Sequence, residues 1–375
     1  MRWPVAPLVD AMASARVFVD GDWVESKDQD PEGDVRLVQL ADVGDGEYID
    51  KSDRYLTNAK ALALRCTFLE PGDVLVARMP DPLGRACIFP GASKRCVTVV
   101  DVCIIRPDAQ KHHARWLMHC LNAPSCRNQI AGYATGTTRS RISRGNLGRV
   151  KIPSLPLSEQ RRIVEILDKS DALRAKRRVA LAQLDTLTQS IFLDMFGDPA
   201  TNPKGIQKSP LGDLIRLKSG DFLPASEMAP DGAYPVLGGN GISGFHDRYM
   251  FEEPQIVIGR VGVYCGCVHA APQKSWITDN ALFVSERDPA LRFEYLVHAL
   301  THARLNQYAS QSGQPLVSGS RIYPVEIVLP PEELQISFEE RIAGVKEVER
   351  HCDAGRASLD CLFASLQHRA FRGEL

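Results

Sequence analysis

The apolar positions of this chain fall into two long helical stripes, each preceded by a series of short apolar runs broken by turns. The first stripe spans residues 157–196 and contains neither Gly nor Pro. Ile163, Ile166, Leu167, Leu173, Leu181, Leu184, Leu187 and Ile191 recur along it at helical spacing. Ser158 followed by Glu159 predicts its N-terminus, and Gly197-Asp198-Pro199 predicts its stop. At about 1.5 Å per residue this helix is roughly 60 Å long. A helix of that length must protrude, separate two domains, or pair with another long helix. A second stripe, over 334–372, carries Ile336, Ile342, Val345, Cys352, Leu359, Leu362, Phe363, Leu366 and Ala370, weakened by Gly344 and Gly355.

The two stripes are entered alike. Val150, Ile152, Pro156 and Gln160 correspond to Val325, Ile327, Pro331 and Gln335 at one offset of 175 residues. A constant offset with matching elements marks an internal repeat, here a duplicated domain-plus-helix. The expected organisation is a first globular domain over 1–155, a central helix over 156–197, a second globular domain over 198–330 and a C-terminal helix over 331–375. Within the first domain, strands are expected at 35–40, 74–78, 86–89 and 97–105, and a helix over 112–130. The second domain repeats the order: a strand at 214–217, another at 234–237 leading into a glycine-rich turn at 238–244, a strand across 253–260 and a helix over 290–308. The polar segments 133–146 and 310–315 follow the two shorter helices in equivalent places but differ in side chains. The fold class predicted is α+β, with two tandem β-rich domains and two long helices packed as an antiparallel coiled coil.

Composition changes this picture little. The 375 residues are 44% hydrophobic and 24% charged, ordinary globular values. No apolar run is long enough to span a membrane, and the N-terminus lacks a signal pattern. The ten Cys are scattered, which predicts reduced, mostly buried thiols of a cytoplasmic protein. Cys265 and Cys267 read as alternating positions of a strand.

Charge changes it more. The net charge of −1 conceals a balance of −6 over residues 1–60 and +9 over 61–156. The basic segment includes Thr137, Thr138, Arg139, Arg141 and Arg144, a flexible stretch whose amides, hydroxyls and guanidinium groups suit phosphates and base edges. A neutral total argues against indiscriminate DNA binding.

Enzymatic signatures are missing. There is no phosphate-binding Gly-x-x-x-x-Gly-Lys loop and no Gly-x-Gly-x-x-Gly, and Asn202-Pro203-Lys204 departs from the amino-methyltransferase motif. No Cys/His set has zinc spacing. The acidic turns of residues 1–60 fit no calcium loop, and His112 and His113 read as exposed helix-start residues. Pro80-Asp81, Pro107-Asp108 and Pro230-Asp231 resemble the start of a nuclease triad, but none has a strand-borne Glu-x-Lys downstream. No catalytic residue and no bound metal or cofactor is expected.

Two globular domains that each lead into a long helix, the first through an Ile-Pro-x-x-Pro segment and the second through a similar proline-ended one, form a recognisable pattern. The most specific parts are Ile152-Pro153-Ser154-Leu155-Pro156-Leu157-Ser158-Glu159-Gln160-Arg161-Arg162-Ile163, then Phe192 to Pro199 with Asn202-Pro203-Lys204-Gly205, and the ending from Leu362 to Leu375. Together these resemble the DNA specificity subunit of type I restriction–modification systems, over essentially the whole chain. In the second half Leu334-Gln335-Ile336-Ser337-Phe338 departs from the family's usual Glu-Gln-Arg-x-Ile. The resemblance implies a non-catalytic subunit in which each globular domain reads one half of a split asymmetric site in double-stranded DNA. The helices would act as a spacer and would hold two methyltransferase (M) subunits, joined by a restriction/translocase (R) subunit. S-adenosylmethionine, ATP and Mg would belong to those partners. The alternative is a stand-alone DNA-binding or regulatory protein without enzymatic partners. By polarity and repeat position, the DNA contacts expected are Arg78, Arg85, Lys94, Arg95, Thr137, Thr138, Arg139, Arg141 and Arg144 in the first domain. In the second they are Asn240, Ser243, Arg260, Gln311, Ser312, Gln314 and Arg321.

Overall fold

Both stripes fold as uninterrupted helices in the computed structural model, which describes residues 3–80, 82–136, 139–310 and 313–375. In chain order the first repeat is β1 (Val5–Pro7), α1 (Leu8–Ala11), β2 (Val17–Asp20), β3 (Val35–Val38), β4 (Tyr55–Leu56), α2 (Asn58–Ala63), β5 (Val74–Ala77), β6 (Ala86–Ile88), β7 (Arg95–Thr98), β8 (Val102–Arg106), α3 (Ala114–Asn122), α4 (Pro124–Gly132), α5 (Arg144–Gly148), β9 (Lys151–Pro153) and α6 (Leu157–Phe196). The second is β10 (Lys208–Pro210), α7 (Leu211–Leu214), β11 (Ile215–Ser219), β12 (Tyr234–Gly238), β13 (Gly241–His246), β14 (Gln255–Gly259), β15 (Val268–Ala271), β16 (Trp276–Ile277), β17 (Ala281–Arg287), α8 (Phe293–His302), α9 (Gly319–Ile322), β18 (Glu326–Val328) and α10 (Glu332–Arg372).

The repeat inferred from one offset is carried through the sheets. A ribbon β1-β9, a sheet β2-β8-β5-β6 and a sheet β4-β3-β7 in the first half become β10-β18, β11-β17-β14-β15 and β13-β12-β16 in the second. Pairing is antiparallel except β3 with β7 and β12 with β16. The central strands are apolar at nearly every position because both faces are covered: all four residues of β5 are buried.

Several elements differ from the sequence expectation. The run 97–105 is two strands, β7 and β8, in different sheets, turned at Val99-Val100-Asp101. The helix over 112–130 breaks at Pro124, which begins α4, since proline suits a first helical turn but not a helix interior. The helix over 290–308 ends at His302, and Arg304 takes a left-handed conformation with φ of 49°. The glycine-rich 238–244 is mostly strand, forming the β12–β13 hairpin around Gly239-Asn240. Cys265 and Cys267 lie in the turn between β14 and β15, shaped by Gly262 and Gly266 at positive φ. His112 and His113 are half-buried rather than exposed, and burial lowers both pKa values. Cys267 and Cys361 are exposed; the other eight thiols are buried.

The chain divides into two compact units, Met1–Arg177 with Gly355–Leu375, and Arg178–Ala354. Each contains one half of each long helix. In the first unit, Ile163 and Leu167 near the start of α6 share a core with Trp116 and Leu121 of α3 and with Ala370 and Phe371 near the end of α10. Gln367 donates to the carbonyl of His119 at 3.0 Å, and Arg174 pairs with Asp360 at 2.6 Å. In the second unit, Phe192 and Phe196 at the end of α6 meet Phe338 and Ile342 near the start of α10 and Tyr295 of α8. Within each unit the helices therefore run antiparallel. Part of the apolar stripe is not core: Leu173 (50%), Leu187 (45%), Ile336 (38%) and Leu362 (48%) are exposed.

His298 gives the second unit an acid dependence. Its ring lies 5.3 Å from Phe338 and 6.4 Å from Phe192, and burial depresses its pKa from 6.5 to about 4. Glu294 opposes this shift, while Lys346 and His302 add to it. The unfolded chain binds the proton first, so the stability is fully present above about pH 6.5 and is lost as pH falls to about 4. Allowing for the partial exposure of the ring, the loss is about 2 kcal/mol. Urea titrations at pH 7 and pH 4.5 are expected to show a smaller decrease for His298→Phe than for the native chain. Equal decreases would show that His298 contributes nothing to the acid dependence.

Candidate nucleic-acid interface

In both repeats the strand at the centre of the four-stranded sheet ends in an arginine. Arg78 follows β5, and Arg260 follows β14. The amide of Arg78 donates to Asp101 O (2.8 Å), its Nη1 donates to Val100 O (3.1 Å), and its carbonyl accepts from Ile142 N (3.0 Å). The amide of Arg260 donates to Asn280 O (3.0 Å), its Nη1 donates to Asp279 O (3.3 Å), and its carbonyl accepts from Val317 N (2.9 Å). Each arginine thus stitches the turn between two strands to the end of the polar segment that follows the shorter helix. In this way a common scaffold seats the two divergent polar segments.

The expected contact residues separate on this geometry. Arg78 is 5% exposed, pairs with Asp20 at 2.6 Å and donates from Nε to Ile142 O; Arg85 is 8% exposed and donates to the carbonyls of Val43, Leu40, Met79 and Pro82. Polarity and repeat position placed these two among the expected DNA contacts, but their guanidinium groups are buried and directed at the protein itself. Arg260 is half-buried and bonds to Ser219 Oγ at 3.0 Å. Arg141 pairs with Asp101 at 3.1 Å, while Arg139 and Arg144 are exposed. Arg139, Arg141 and Arg144 therefore lie on the segment that Arg78 anchors.

Lys94 and Arg95 lie elsewhere, at the start of the parallel-paired strand β7. Lys94 sits over the Tyr55 ring and bonds Gly33 O, and Arg95 lies over Phe68 and bonds Asn58. In the second repeat, exposed Asn240 and Ser243 belong to the β12–β13 hairpin, whose Gly239 approaches Gly259 and Asn280 beside Arg260. Gln314 is exposed on the polar segment, and Arg321 is exposed beside a cavity of about 890 Å³ that Lys208 and Arg304 also line. Thr137, Thr138, Gln311 and Ser312 lie outside the described residues, as does Asp81.

The acidic turns serve local structure. Asp42, fully buried, accepts from the amides of Gln39, Lys51 and Ser52, each at 2.7 Å, and Asp108 accepts from Gln110 N. Among the described residues no group of three or more His, Cys, Asp or Glu is placed to hold a metal ion, and no helix is long and apolar enough to cross a membrane. Polarity-based reading of the sequence missed Trp23 and Phe222, at 68% and 72% the most exposed aromatic rings among the described residues. The signal available was Gly-Asp-aromatic in both halves, Gly21-Asp22-Trp23 and Gly220-Asp221-Phe222, at a different offset from that of the helix entries.

Residues 19–183 and 203–339 match the type I restriction modification DNA specificity domain. The EcoprrI type I restriction enzyme specificity subunit of Escherichia coli is 29% identical over 193 residues, 49% of this chain and 47% of that protein. A putative MjaX type I restriction enzyme specificity subunit of Methanocaldococcus jannaschii is 23% identical over 146 residues, 38% of this chain and 34% of that protein. The matched stretches span less than half of either relative. Among solved structures, a type I restriction–modification S subunit from M. genitalium superposes with a TM-score of 0.58 at 16% identity, covering 99% of this chain and 96% of that one. A chain from a structural study of assembly and conformational transition in the type I R-M system gives 0.57 at 18% identity, covering 100% and 98%. At those identities the likeness is one of fold. The two matched segments, by contrast, take in most of the sequence and fall one on each repeat: the chain belongs to the type I restriction–modification DNA specificity family.

Proposed function

We propose that this chain reads a bipartite, asymmetric site in double-stranded DNA, one half-site per repeat, and presents it to enzymatic partners. The observation that carries this reading is the pair of polar segments seated by equivalent arginines on equivalent sheets, with different side chains at their tips. A shared scaffold with divergent tips suits two readers of different sequence, because base edges are distinguished by the few side chains that reach them. With Arg78 and Arg85 internal, the readers of the first half are Arg139, Arg141 and Arg144 with the neighbouring threonines. Those of the second are Asn240, Ser243, Gln314 and Arg321 with the neighbouring Gln311 and Ser312. The long helices act as a spacer, which makes the gap between half-sites a geometric constant.

Two M subunits dock on the exposed helix faces, where Val179, Leu187, Leu193 and Val348 leave apolar side chains in solvent, and an R subunit joins them. Adenine methylation, ATP hydrolysis and DNA cleavage are then partner activities, and S-adenosylmethionine, ATP and Mg bind there. The assembly works in the cytoplasm, where the DNA is. The test is a methylome of the source cells with and without this gene, by sequencing that detects modified adenine. One split motif with a fixed gap is expected to lose its methylation on deletion. An unchanged methylome in cells that express the methyltransferase would overturn the proposal and favour a stand-alone DNA-binding protein.

A further inference from the structure

We infer that Trp23 and Phe222 are paired aromatic wedges, one per repeat, that each lay a ring against a base step of the bound duplex. The inference rests on the reading of the chain as a DNA specificity subunit. A single exposed aromatic side chain is ordinary. These two, however, occupy equivalent positions in halves whose polar segments differ in side chains.

Each ring follows a Gly-Asp pair directly after β2 or β11. Gly21 N donates to Val102 O (2.7 Å) and Asp22 N to Thr98 O (2.8 Å); Gly220 N donates to Ala281 O (3.1 Å) and Asp221 N to Ile277 O (3.0 Å). The acceptors occupy matching places, the ends of β7 and β16 and the starts of β8 and β17. Both glycines are required by close approach: a Cβ on Gly21 would lie 2.2 Å from Val99 O, and one on Gly220 would lie 2.2 Å from Ile277 O. The backbone is therefore clamped immediately before each ring, so that presenting the ring costs little backbone freedom on binding.

Each ring is linked to a polar segment through the residue that holds that segment. Trp23 shares a cleft of about 820 Å³ with Gln29, Gln39 and Asp101, and Asp101 pairs with Arg141. Phe222 follows Ser219 and Gly220, and Ser219 Oγ accepts from the Arg260 guanidinium that stitches the second polar segment. The carboxylates around Trp23 are already engaged: Asp20 by Arg78, Asp22 by the amide of Thr67, and Glu25 by Lys27 and by Trp23 Nε1. An apolar ring wedged at a base step partly unstacks it, at a cost that is lowest at flexible pyrimidine–purine steps and is repaid by contact with the exposed base faces and the bent duplex. This complements the donors and acceptors of the polar segments.

The test uses the purified full chain and fluorescently labelled duplexes that carry the split motif supplied by the methylome. By anisotropy, Trp23→Ala and Phe222→Ala are each expected to weaken binding about tenfold, whereas Trp23→Phe and Phe222→Trp stay within about twofold. Thermal midpoints should be unchanged. Trp116 is buried and Trp23 exposed, so DNA is expected to quench part of the native tryptophan emission, and Trp23→Phe should lose that part. Native affinity in both alanine variants would overturn the inference while leaving the DNA reading intact. A fall in thermal midpoint that tracks the affinity loss would overturn it in favour of packing. If the native chain binds neither motif-bearing nor scrambled duplex, the DNA reading fails and the wedge fails with it.

Discussion

Phe338→Ala is expected to destabilise the second unit by about 4 kcal/mol, within the usual range for deleting a buried phenylalanine ring. Phe338 is fully buried, with its ring centroid 5.7 Å from Phe192, 5.3 Å from Phe196 and 5.3 Å from His298. Phe196 in turn meets Tyr295 at 5.0 Å, and His302 stacks on Phe192 at 4.4 Å. One ring from α10 therefore fills the space between the end of α6 and one face of α8. Removing it leaves a cavity that three elements would have to collapse into, and helices held by their other contacts relax only in part. At about 2–4 °C per kcal/mol for a domain of this size, the thermal midpoint should fall by roughly 10 °C. Leu334→Ala, at a 39% exposed position on the same helix, is expected to change stability by no more than about 0.5 kcal/mol. Equal midpoints for the two variants would remove the aromatic cluster from its place as the anchor of the helix pair in this unit.

The long helices and the duplication were legible because their signals are redundant. A Gly- and Pro-free stretch with helical spacing admits few other conformations, and matched residues at one offset carried the repeat into every sheet. What the sequence obscured were the places where local pattern and tertiary pairing disagree. Residues 97–105 are apolar enough to read as one strand, yet Asp101 turns the chain so that β7 joins β3 in parallel and β8 joins a different sheet. The glycines of 238–244 suggest a loop, but their amides and carbonyls complete an edge hairpin where no side chain is needed. Leu173, Leu187, Ile336 and Leu362 keep the helical period without a covering surface in this chain, since period reports which face an apolar residue is on and not what covers it.

The segments that the two scaffolds seat were legible in the sequence; which of their side chains stay exposed was not. The two polar segments were located by repeat position, and both attach to a strand-end arginine. Arg78 and Arg85 were indistinguishable from Arg139 and Arg144 by charge. They separate only when the carbonyls of Val100, Ile142, Val43 and Leu40 converge on the first pair. Trp23 and Phe222 escaped a search weighted toward charge, because an aromatic residue near a strand end reads as core until its burial is known.

Gln160→Leu is expected to destabilise the first unit by roughly 3 kcal/mol, although the side chains are close in volume. Gln160 is 1% exposed and uses both ends of its amide. Oε1 accepts from His113 N at 2.8 Å, and Nε2 donates to Lys111 O at 3.1 Å and to Leu155 O at 3.0 Å. Gln335 repeats the arrangement, accepting from Arg292 N and donating to Ala290 O and Pro330 O, each at 2.9 Å. In both halves one glutamine ties the segment before α3 or α8 to the first turn of the long helix, which sets where the globular part sits on the helix that begins there. Leucine strands a buried amide and two carbonyls, each worth about 1–3 kcal/mol when left unpaired, with some relief from relaxation. Glu at position 160 keeps the acceptor but points a carboxylate at two carbonyl oxygens, which raises its pKa in the folded state. By linkage, stability gained by the protonated form is present at low pH and lost as pH rises through that pKa, so Gln160→Glu should be less destabilised at pH 5 than at pH 8. Denaturant unfolding of the native chain and both variants at the two pH values checks this. A Gln160→Leu chain within about 1 kcal/mol of native would mean that the segment before α3 is held by its other contacts. The same result for Gln335→Leu would deny the clamp in the second repeat as well.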